Sequence, residues 1–327
     1  MHLDPFELHR PESLDDTMRL AGELAGRFDF LAGGTDLLPN YKMHLNNRPH
    51  LIALDRVPEL AGHSRARIGA MARLADLERD AELAEAYPAL ADAVREVATP
   101  LVRASGTVGG NLLVETRCFF FNQSYFWRAS LGFCLKADGD RCHVVPQKER
   151  CYATFSGDLA PALMAHDAEV EIAGPNGRRR NAIGALYDLD GDGIRRTHLA
   201  PGEIVVAVHF PAGAAGEKGR YKKLRVRPSY DFPELGVAVA GRWDEDRVDR
   251  LRLAVGGVEP YPVRFDELTQ PLAGDRLTDA RVRELGDAVA RRLRPVHNTF
   301  LQADYRRRMI PVYVRRAIQE ARAGAAT

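Results

Sequence analysis

Arg103-Ala104-Ser105-Gly106-Thr107-Val108-Gly109-Gly110-Asn111-Leu112 places three glycines within five residues, directly before the one window of the chain that contains cysteine. About 70 residues upstream, Leu31-Ala32-Gly33-Gly34-Thr35-Asp36-Leu37-Leu38 interrupts a short apolar run in the same manner. Glycine lets backbone N–H groups come close to phosphate oxygens, and a neighbouring Thr or Asn adds a side-chain donor. Neither stretch is a Walker loop, because no Gly-Lys-Ser/Thr follows. Neither matches G-x-G-x-x-G, so a Rossmann site is not indicated. Spacing alone leaves each of them equally readable as a tight turn, and it does not show that the two face one ligand.

Outward from these stretches the chain alternates short strands and helices. Ser13 with Asp16 reads as a capping box, followed by Leu14, Met18, Ala21 and Leu24 on one helical face that ends at Gly26. Phe28 to Leu31 and Leu51 to Leu54 read as strands, and Arg67 to Ala70 as a third. Leu74 to Ala86 reads as one helix, with a second from Ala89 to Val97 after the break at Pro88. Glu169 to Ile172 and Ile204 to Val208 read as strands, with the turn Gly174-Pro175-Asn176-Gly177 between them. A boundary is expected near residue 217, followed by a strand pair, Gly236 to Trp243 and Leu251 to Val255. Two helices, Arg281 to Leu293 and Asp304 to Arg322, complete the chain, with Leu285, Val289, Met309, Tyr313 and Ile318 facing inward. The fold class is α+β, with short sheets and segregated helices.

The chain has 327 residues and a formal charge of +1, which argues against a nucleic-acid footprint. With 28% charged and 45% hydrophobic residues it is expected to bury a sizeable core. No apolar run is long enough for a membrane span, and Met-His-Leu-Asp-Pro lacks the features of a signal peptide, so the expected location is the cytoplasm.

All four cysteines, Cys118, Cys134, Cys142 and Cys151, fall in one window with the spacing C-x15-C-x7-C-x8-C. A reducing compartment disfavours disulfides there, and the absence of any C-x-x-C pair disfavours zinc ribbons and thioredoxin-like redox chemistry. Four thiolates suit an iron–sulfur cluster, which tolerates irregular spacing. The same segment holds Phe119, Phe120, Phe121, Tyr125, Phe126, Trp127, Phe133 and Tyr152, a shell expected to keep water away, with Arg128, Lys136, Arg141, Lys148 and Arg150 to offset negative charge. The competing reading is an aromatic mini-core with unconnected cysteines. His143, beside Cys142, is read as a local hydrogen-bonding residue. Asp188-Leu189-Asp190-Gly191-Asp192-Gly193 opens like an EF-hand loop, but its twelfth position is Leu199, so it is read as an acidic turn. No catalytic triad or paired-carboxylate pattern stands out, and no catalytic residue is assigned.

With these residues assembled, the chain resembles the FAD-binding medium subunits of the xanthine oxidase family of molybdenum hydroxylases. Ala32 to Leu38 resembles the family's first flavin loop and Arg103 to Leu112 its second. Ser156-Gly157-Asp158-Leu159-Ala160-Pro161-Ala162-Leu163 resembles its S-D-L-x-P-A-L segment with a glycine inserted, and Lys223 with Arg227 resembles a Lys and Arg that close over the flavin. The segment Glu115 to Tyr152 is an insertion that most of the family lacks. Its cysteine spacing resembles that of a dehydroxylating branch, the beta subunits of the 4-hydroxybenzoyl-CoA reductases, in which it holds a [4Fe-4S] cluster.

The resemblance implies a PCMH-type FAD-binding domain over 1–217, with subdomains of about 1–58 and 59–217 and the insertion at 115–152, then a CO-dehydrogenase-flavoprotein-like α+β domain over 218–327. It implies FAD held by Leu31, Ala32, Gly33, Gly34, Thr35, Asp36, Leu37 and Leu38, by Thr99, Arg103, Gly106, Thr107, Gly109, Gly110 and Asn111, and by Asp158, Ile204, Val205 and Lys223. Asp158 is expected at the ribityl or ring side, Lys223 near the pyrimidine, and Ile204 and Val205 against the isoalloxazine. The [4Fe-4S] cluster is implied at Cys118, Cys134, Cys142 and Cys151. Implied partners are a large molybdenum-cofactor subunit and a small [2Fe-2S] subunit, two copies of each chain, with ferredoxin as electron donor. Two other readings stand beside this one: a hydroxylase in which electrons run outward from another aromatic substrate, and a zinc- or cysteine-stabilised assembly module.

Overall fold

A computed structural model describes residues 3–245 and 247–324. Strands β1 (Glu7–His9), β2 (Phe28–Leu31) and β3 (His50–Ala53) form a parallel sheet in the order β1-β3-β2. Parallel neighbours need crossovers, supplied by the helices Leu14–Glu23 and Leu37–Lys42. Ser13 caps the first of these, its hydroxyl accepting from the Asp16 N–H at 3.1 Å as the sequence predicts. Strands β4 (Arg67–Gly69), β5 (Glu169–Gly174), β6 (Gly177–Ala182) and β7 (Ile204–His209) make an antiparallel sheet in the order β4-β7-β5-β6. Strands β8 (Lys218–Leu224), β9 (Leu235–Asp244), β10 (Arg247–Gly256) and β11 (Val263–Arg264) make a second, in the order β11-β10-β9-β8.

The expected helix over 74–86 is two helices, Leu74–Arg79 and Ala81–Ala86, because the Asp80 carboxylate caps the second by accepting from Leu83 N–H at 2.9 Å. The stretch read as a glycine turn at 106–111 contains a short helix, Val108–Leu112, whose N-cap is Thr107. Strand β8 escaped the reading because its inward positions are Gly219, Tyr221 and Lys223, which lack the apolar alternation that marks a strand.

The third sheet is covered on both faces, and its side chains are sorted accordingly. Leu235, Val237 and Val239 of β9 meet the helices Asp279–Arg292 and Ala303–Ala323 in a core with Leu285, Val289, Ile310 and Ile318. Met309 and Tyr313 are only half-buried at its edge. On the opposite face Ala238 and Ala240 meet Ala89 and Ala93 of the helix Pro88–Glu96 and Ala162 and Ala165 of the helix Leu159–Ala165. Alanines there let helix backbones approach the sheet closely; a Cβ on Gly219 would stand 3.2 Å from the Ala89 backbone nitrogen. This close contact carries β8 onto the helix Pro88–Glu96 and Lys223 to the start of the helix Leu159–Ala165.

His166, at the C-terminus of the helix Leu159–Ala165, is fully buried, and neither ring nitrogen has a hydrogen-bond partner. Burial, aided by the nearby Arg252 charge, pushes its pKa down to about 3. The unfolded chain therefore binds a proton at this site that the folded chain refuses, and stability falls as pH drops below the unfolded value of about 6.5. We expect His166→Leu to lose about 2 kcal/mol less than the parent protein between pH 7 and pH 5, measured by urea denaturation at each pH. Equal losses in the two proteins would refute the assignment.

Candidate functional site

The two glycine stretches meet. A Cβ on Gly33 would fall 2.0 Å from the Ser105 carbonyl oxygen and 3.1 Å from Gly106 Cα, so only glycine permits this approach. Gly34 lies at φ +71°, which turns the chain from β2 into the helix Leu37–Lys42. Among the described residues, the backbone N–H groups of Gly33, Gly34, Thr35, Asp36 and Leu37 have no backbone acceptor. Successive free N–H groups around a turn form a concavity of the kind that binds anions. Residues Leu31 to Leu38 are half-buried apart from the exposed Thr35, as a cleft wall requires.

The second stretch does something else. Most of its N–H groups are spent inside the protein: Gly106 on Val102 O at 2.7 Å, Val108 on Ala72 O at 3.1 Å, Gly109 on Ala70 O at 2.8 Å and Asn111 on Thr107 O at 2.9 Å. Gly110 N–H donates to the Thr107 hydroxyl at 3.1 Å. Among the described residues, Thr107 N–H alone of Gly106 to Asn111 has no backbone or side-chain acceptor, so the expected row of backbone donors is reduced to that one, while the stretch packs against Ala70 and Ala72 and buttresses the first. Thr99 caps the helix Pro100–Ser105, accepting from Val102 N–H at 3.3 Å. Arg103 is also not free for a ligand, since its guanidinium forks onto Glu78 at 2.7 and 2.8 Å and donates to Val97 O at 2.8 Å. It fixes the helix that carries Ser105.

Asp158 occupies the N-cap position of the helix Leu159–Ala165 without capping it. Asn111 does so instead, its side-chain oxygen accepting from Leu159 N–H at 3.0 Å. The Asp158 carboxylate accepts from Lys223 Nζ at 3.0 Å and from the Tyr221 hydroxyl at 2.6 Å. Lys223 also donates to Glu96 O at 2.9 Å, and its side chain is 1% exposed. Burial pushes the Asp158 carboxyl up, against the pull of Lys223 and Tyr221. The separate positions expected for Asp158 and Lys223 are thus one ion pair, because neither charge survives burial unpaired. Ile204 and Val205 are buried in cores on opposite faces of β7, Ile204 with Leu14, Leu54 and Leu60, and Val205 with Ile68 and Val208. That correction follows from strand alternation: neighbours on a strand cannot both face one ligand. Arg227 pairs with Asp231 in an exposed segment after β8.

The four cysteines line one small pocket together with Phe120, Phe121, Leu135, Lys136, His143 and Val144. Cys118 Sγ accepts from Phe121 N–H at 3.4 Å and Cys151 Sγ from Ala153 N–H at 3.5 Å. Cys151 N–H donates to Asp192 O at 2.7 Å, so the acidic turn braces the last cysteine, and Asp192 closes it by accepting from Ile194 and Arg195 N–H. Burial pushes the Cys118 thiol up to about 12 and raises Cys151 as well, so both are neutral thiols at pH 7. His143 hydrogen-bonds the Phe133 carbonyl at 2.7 Å. The aromatic shell is partial: Phe120 and Phe121 line the cavity, whereas Phe119, Tyr125 and Phe126 are exposed.

Tetrahedral zinc with Zn–S near 2.3 Å requires sulfurs about 3.8 Å apart. No three of the four Sγ atoms lie within 4.8 Å of one another among the described residues, although all four face one space. Four thiol donors facing one space are a donor set of the kind that holds an iron–sulfur group. The cysteine lobe also grips the flavin-type loop. Arg117, next to Cys118, is ion-paired to Asp36 and donates to the Asp36 carbonyl at 3.3 Å. Lys136 is ion-paired to Glu115, which Arg196 also holds at 3.0 Å. Sequence spacing gave no signal for Arg117–Asp36, which spans 81 positions. No helix among the described residues is long and apolar enough to cross a membrane.

A profile described as the FAD binding domain in molybdopterin dehydrogenase matches residues 4–213, and one described as the CO dehydrogenase flavoprotein C-terminal domain matches residues 219–321. The chain is 30% identical to the carbon monoxide dehydrogenase medium chain of Hydrogenophaga pseudoflava over 97% of this chain and 96% of that one. It is 35% identical to the aldehyde oxidoreductase FAD-binding subunit of Escherichia coli over 72% of this chain and 76% of that one. Among solved structures, carbon monoxide dehydrogenase from Hydrogenophaga pseudoflava superposes with a TM-score of 0.79 at 28% identity, covering 100% of both chains. Fold, loop geometry and these likenesses agree: the chain belongs to the FAD-binding medium subunits of the xanthine oxidase and CO dehydrogenase family of molybdenum hydroxylases.

Proposed function

We propose that this chain is the FAD- and [4Fe-4S]-carrying electron relay of a molybdenum enzyme of the 4-hydroxybenzoyl-CoA reductase kind, working in the cytoplasm in anaerobic aromatic degradation. The observation that carries the reading is the cavity lined by Cys118, Cys134, Cys142 and Cys151, joined to the flavin loop through Arg117 and Asp36. When bound, the cluster supplies one-electron transfer and the flavin one- or two-electron transfer.

The chain's own residues have four tasks. The N–H groups of Gly33 to Leu37 hold the pyrophosphate. Thr107 and Asn111 steady the adjoining wall, and the buried Asp158–Lys223 pair ties the strand Lys218–Leu224 to the helix Leu159–Ala165 beside it. The four cysteines, as thiolates, ligate iron, while Phe120 and Phe121 exclude water from the sulfurs. In the assembled enzyme, two copies each of this chain, a molybdenum subunit and a [2Fe-2S] subunit would bring electrons from a low-potential donor such as ferredoxin to 4-hydroxybenzoyl-CoA. Two electrons and two protons release its phenolic hydroxyl as water and leave benzoyl-CoA. In this reading residues 1–217 bind the flavin and 218–327 close over it.

Iron and acid-labile sulfide per flavin, on anaerobically purified complex, test the reading together with an EPR spectrum after dithionite reduction. About four iron and four sulfide per FAD beyond those of the [2Fe-2S] subunit are expected. The same count on a Cys142→Ser variant is expected to drop while FAD stays. Flavin without this iron would refute the relay, and a molybdenum subunit that oxidises its substrate and sends electrons outward would refute the reductive direction.

A further inference from the structure

Away from the flavin and cysteine sites, β1 and β3 bring three ligand-type side chains to one point. Glu7 and His9 stand two apart on β1 and so share a sheet face, and Glu7 is in register with His50 of the parallel neighbour β3. His9 Nε2 and His50 Nδ1 are 3.2 Å apart. The Glu7 carboxylate oxygens lie 3.8 Å from His9 Nε2 and 3.5 Å from His50 Nδ1. Both imidazoles are largely buried, with side chains 18% and 17% exposed, so their orientations are fixed, while Glu7 is open to solvent at 66%.

We propose that Glu7, His9 and His50 form a mononuclear zinc site with an open fourth position. With Zn–N of about 2.0–2.1 Å, tetrahedral geometry sets ligand atoms about 3.3–3.4 Å apart. The three separations bracket that value, so a small turn of the Glu7 side chain completes the ligand set. Two neutral imidazoles and one carboxylate leave a net charge of +1 on the centre, and water takes the fourth place. The exposed Glu7 carboxylate, 66% open, gives the ion a route from solvent. The ligands span two strands, so a bound ion would tie the three-residue edge strand β1 to the sheet interior. The same geometric criterion that argues against zinc among the cysteines favours it here.

The test is dialysis of the intact complex against zinc with a weak competing chelator, then zinc per chain by mass spectrometry and zinc K-edge absorption for the ligand type. The parent protein is expected to hold one zinc per chain with only nitrogen and oxygen neighbours. His9→Ala and His50→Ala are each expected to weaken retention at least ~10-fold, with flavin content unchanged as the folding control. Zinc retained equally by both histidine variants, sulfur in the zinc shell, or no zinc on the parent protein would each overturn the proposal. In the last case the 3.2 Å contact is a plain imidazole–imidazole hydrogen bond.

Discussion

Gly33→Ala is expected to yield a folded protein that retains less than a tenth of its FAD. The new methyl would stand 2.0 Å from the Ser105 carbonyl oxygen and 2.8 Å from its carbon. Those atoms are backbone, fixed by the helix Pro100–Ser105 and by Leu74 N–H donating to Gly106 O at 2.9 Å, so they cannot swing aside as a side chain tip would. Overpacking of this kind costs about 1–3 kcal/mol, and here the relief must come from parting the two loops whose contact forms the cleft. Gly22→Ala is the control: nothing lies within 4 Å of that position, which faces outward on the helix Leu14–Glu23. It should gain about 0.5–1 kcal/mol and keep its flavin. Flavin-to-protein absorbance ratios after gel filtration decide the matter; full FAD on Gly33→Ala would rule out the cleft as described.

Arg252→Leu is expected to lower stability by about 3–5 kcal/mol. Arg252, on β10, is 3% exposed and donates to Glu217 at 2.7, 2.9 and 3.0 Å and to Asp167 at 2.8 Å. Glu217 is itself 1% exposed, and burial already raises its pKa. Without Arg252 it keeps only Arg242 and Arg250, at 3.7 and 3.8 Å. Breaking one side of a buried pair strands the other, whereas removing both is far milder. The double variant Arg252→Leu/Glu217→Leu should therefore recover more than half of the loss in urea denaturation. A single variant within 1 kcal/mol of the parent would show that the network is not what holds the third sheet to the helix Leu159–Ala165 and its Asp167.

Local signals fixed a good part of the architecture from the residues alone. Ser13 and Asp16 announced a helix start, Phe28 to Leu31 a strand with the bounds observed, and Gly174 to Gly177 a turn after β5, although the strand β6 that follows it and pairs with β5 went unread. Each of these is decided by neighbours a few positions apart. The spacing of the four cysteines likewise placed them near one another before any coordinates, since clustering along the chain already limits how far the sulfurs can separate, and they do line one pocket.

What remained hidden depended on contacts between distant segments. Sequence names the residues of the two glycine stretches, yet only the packing of Gly33 on Ser105 shows that one presents its N–H groups and the other spends most of its own. Arg103, Asp158 and Lys223 are polar residues in ligand-like surroundings, and a motif cannot tell a ligand contact from an ion pair across 65 positions. Burial decides that, because a desolvated charge takes whichever partner the fold brings within reach. By itself, the sequence determined the elements with strong local signals, the cysteine set and the family resemblance. The tertiary structure alone decided which donors stay free, which charges are consumed and how the cysteine lobe holds the flavin loop. Those outcomes turn on close approach and desolvation, and neither exists until the sheets and helices pack.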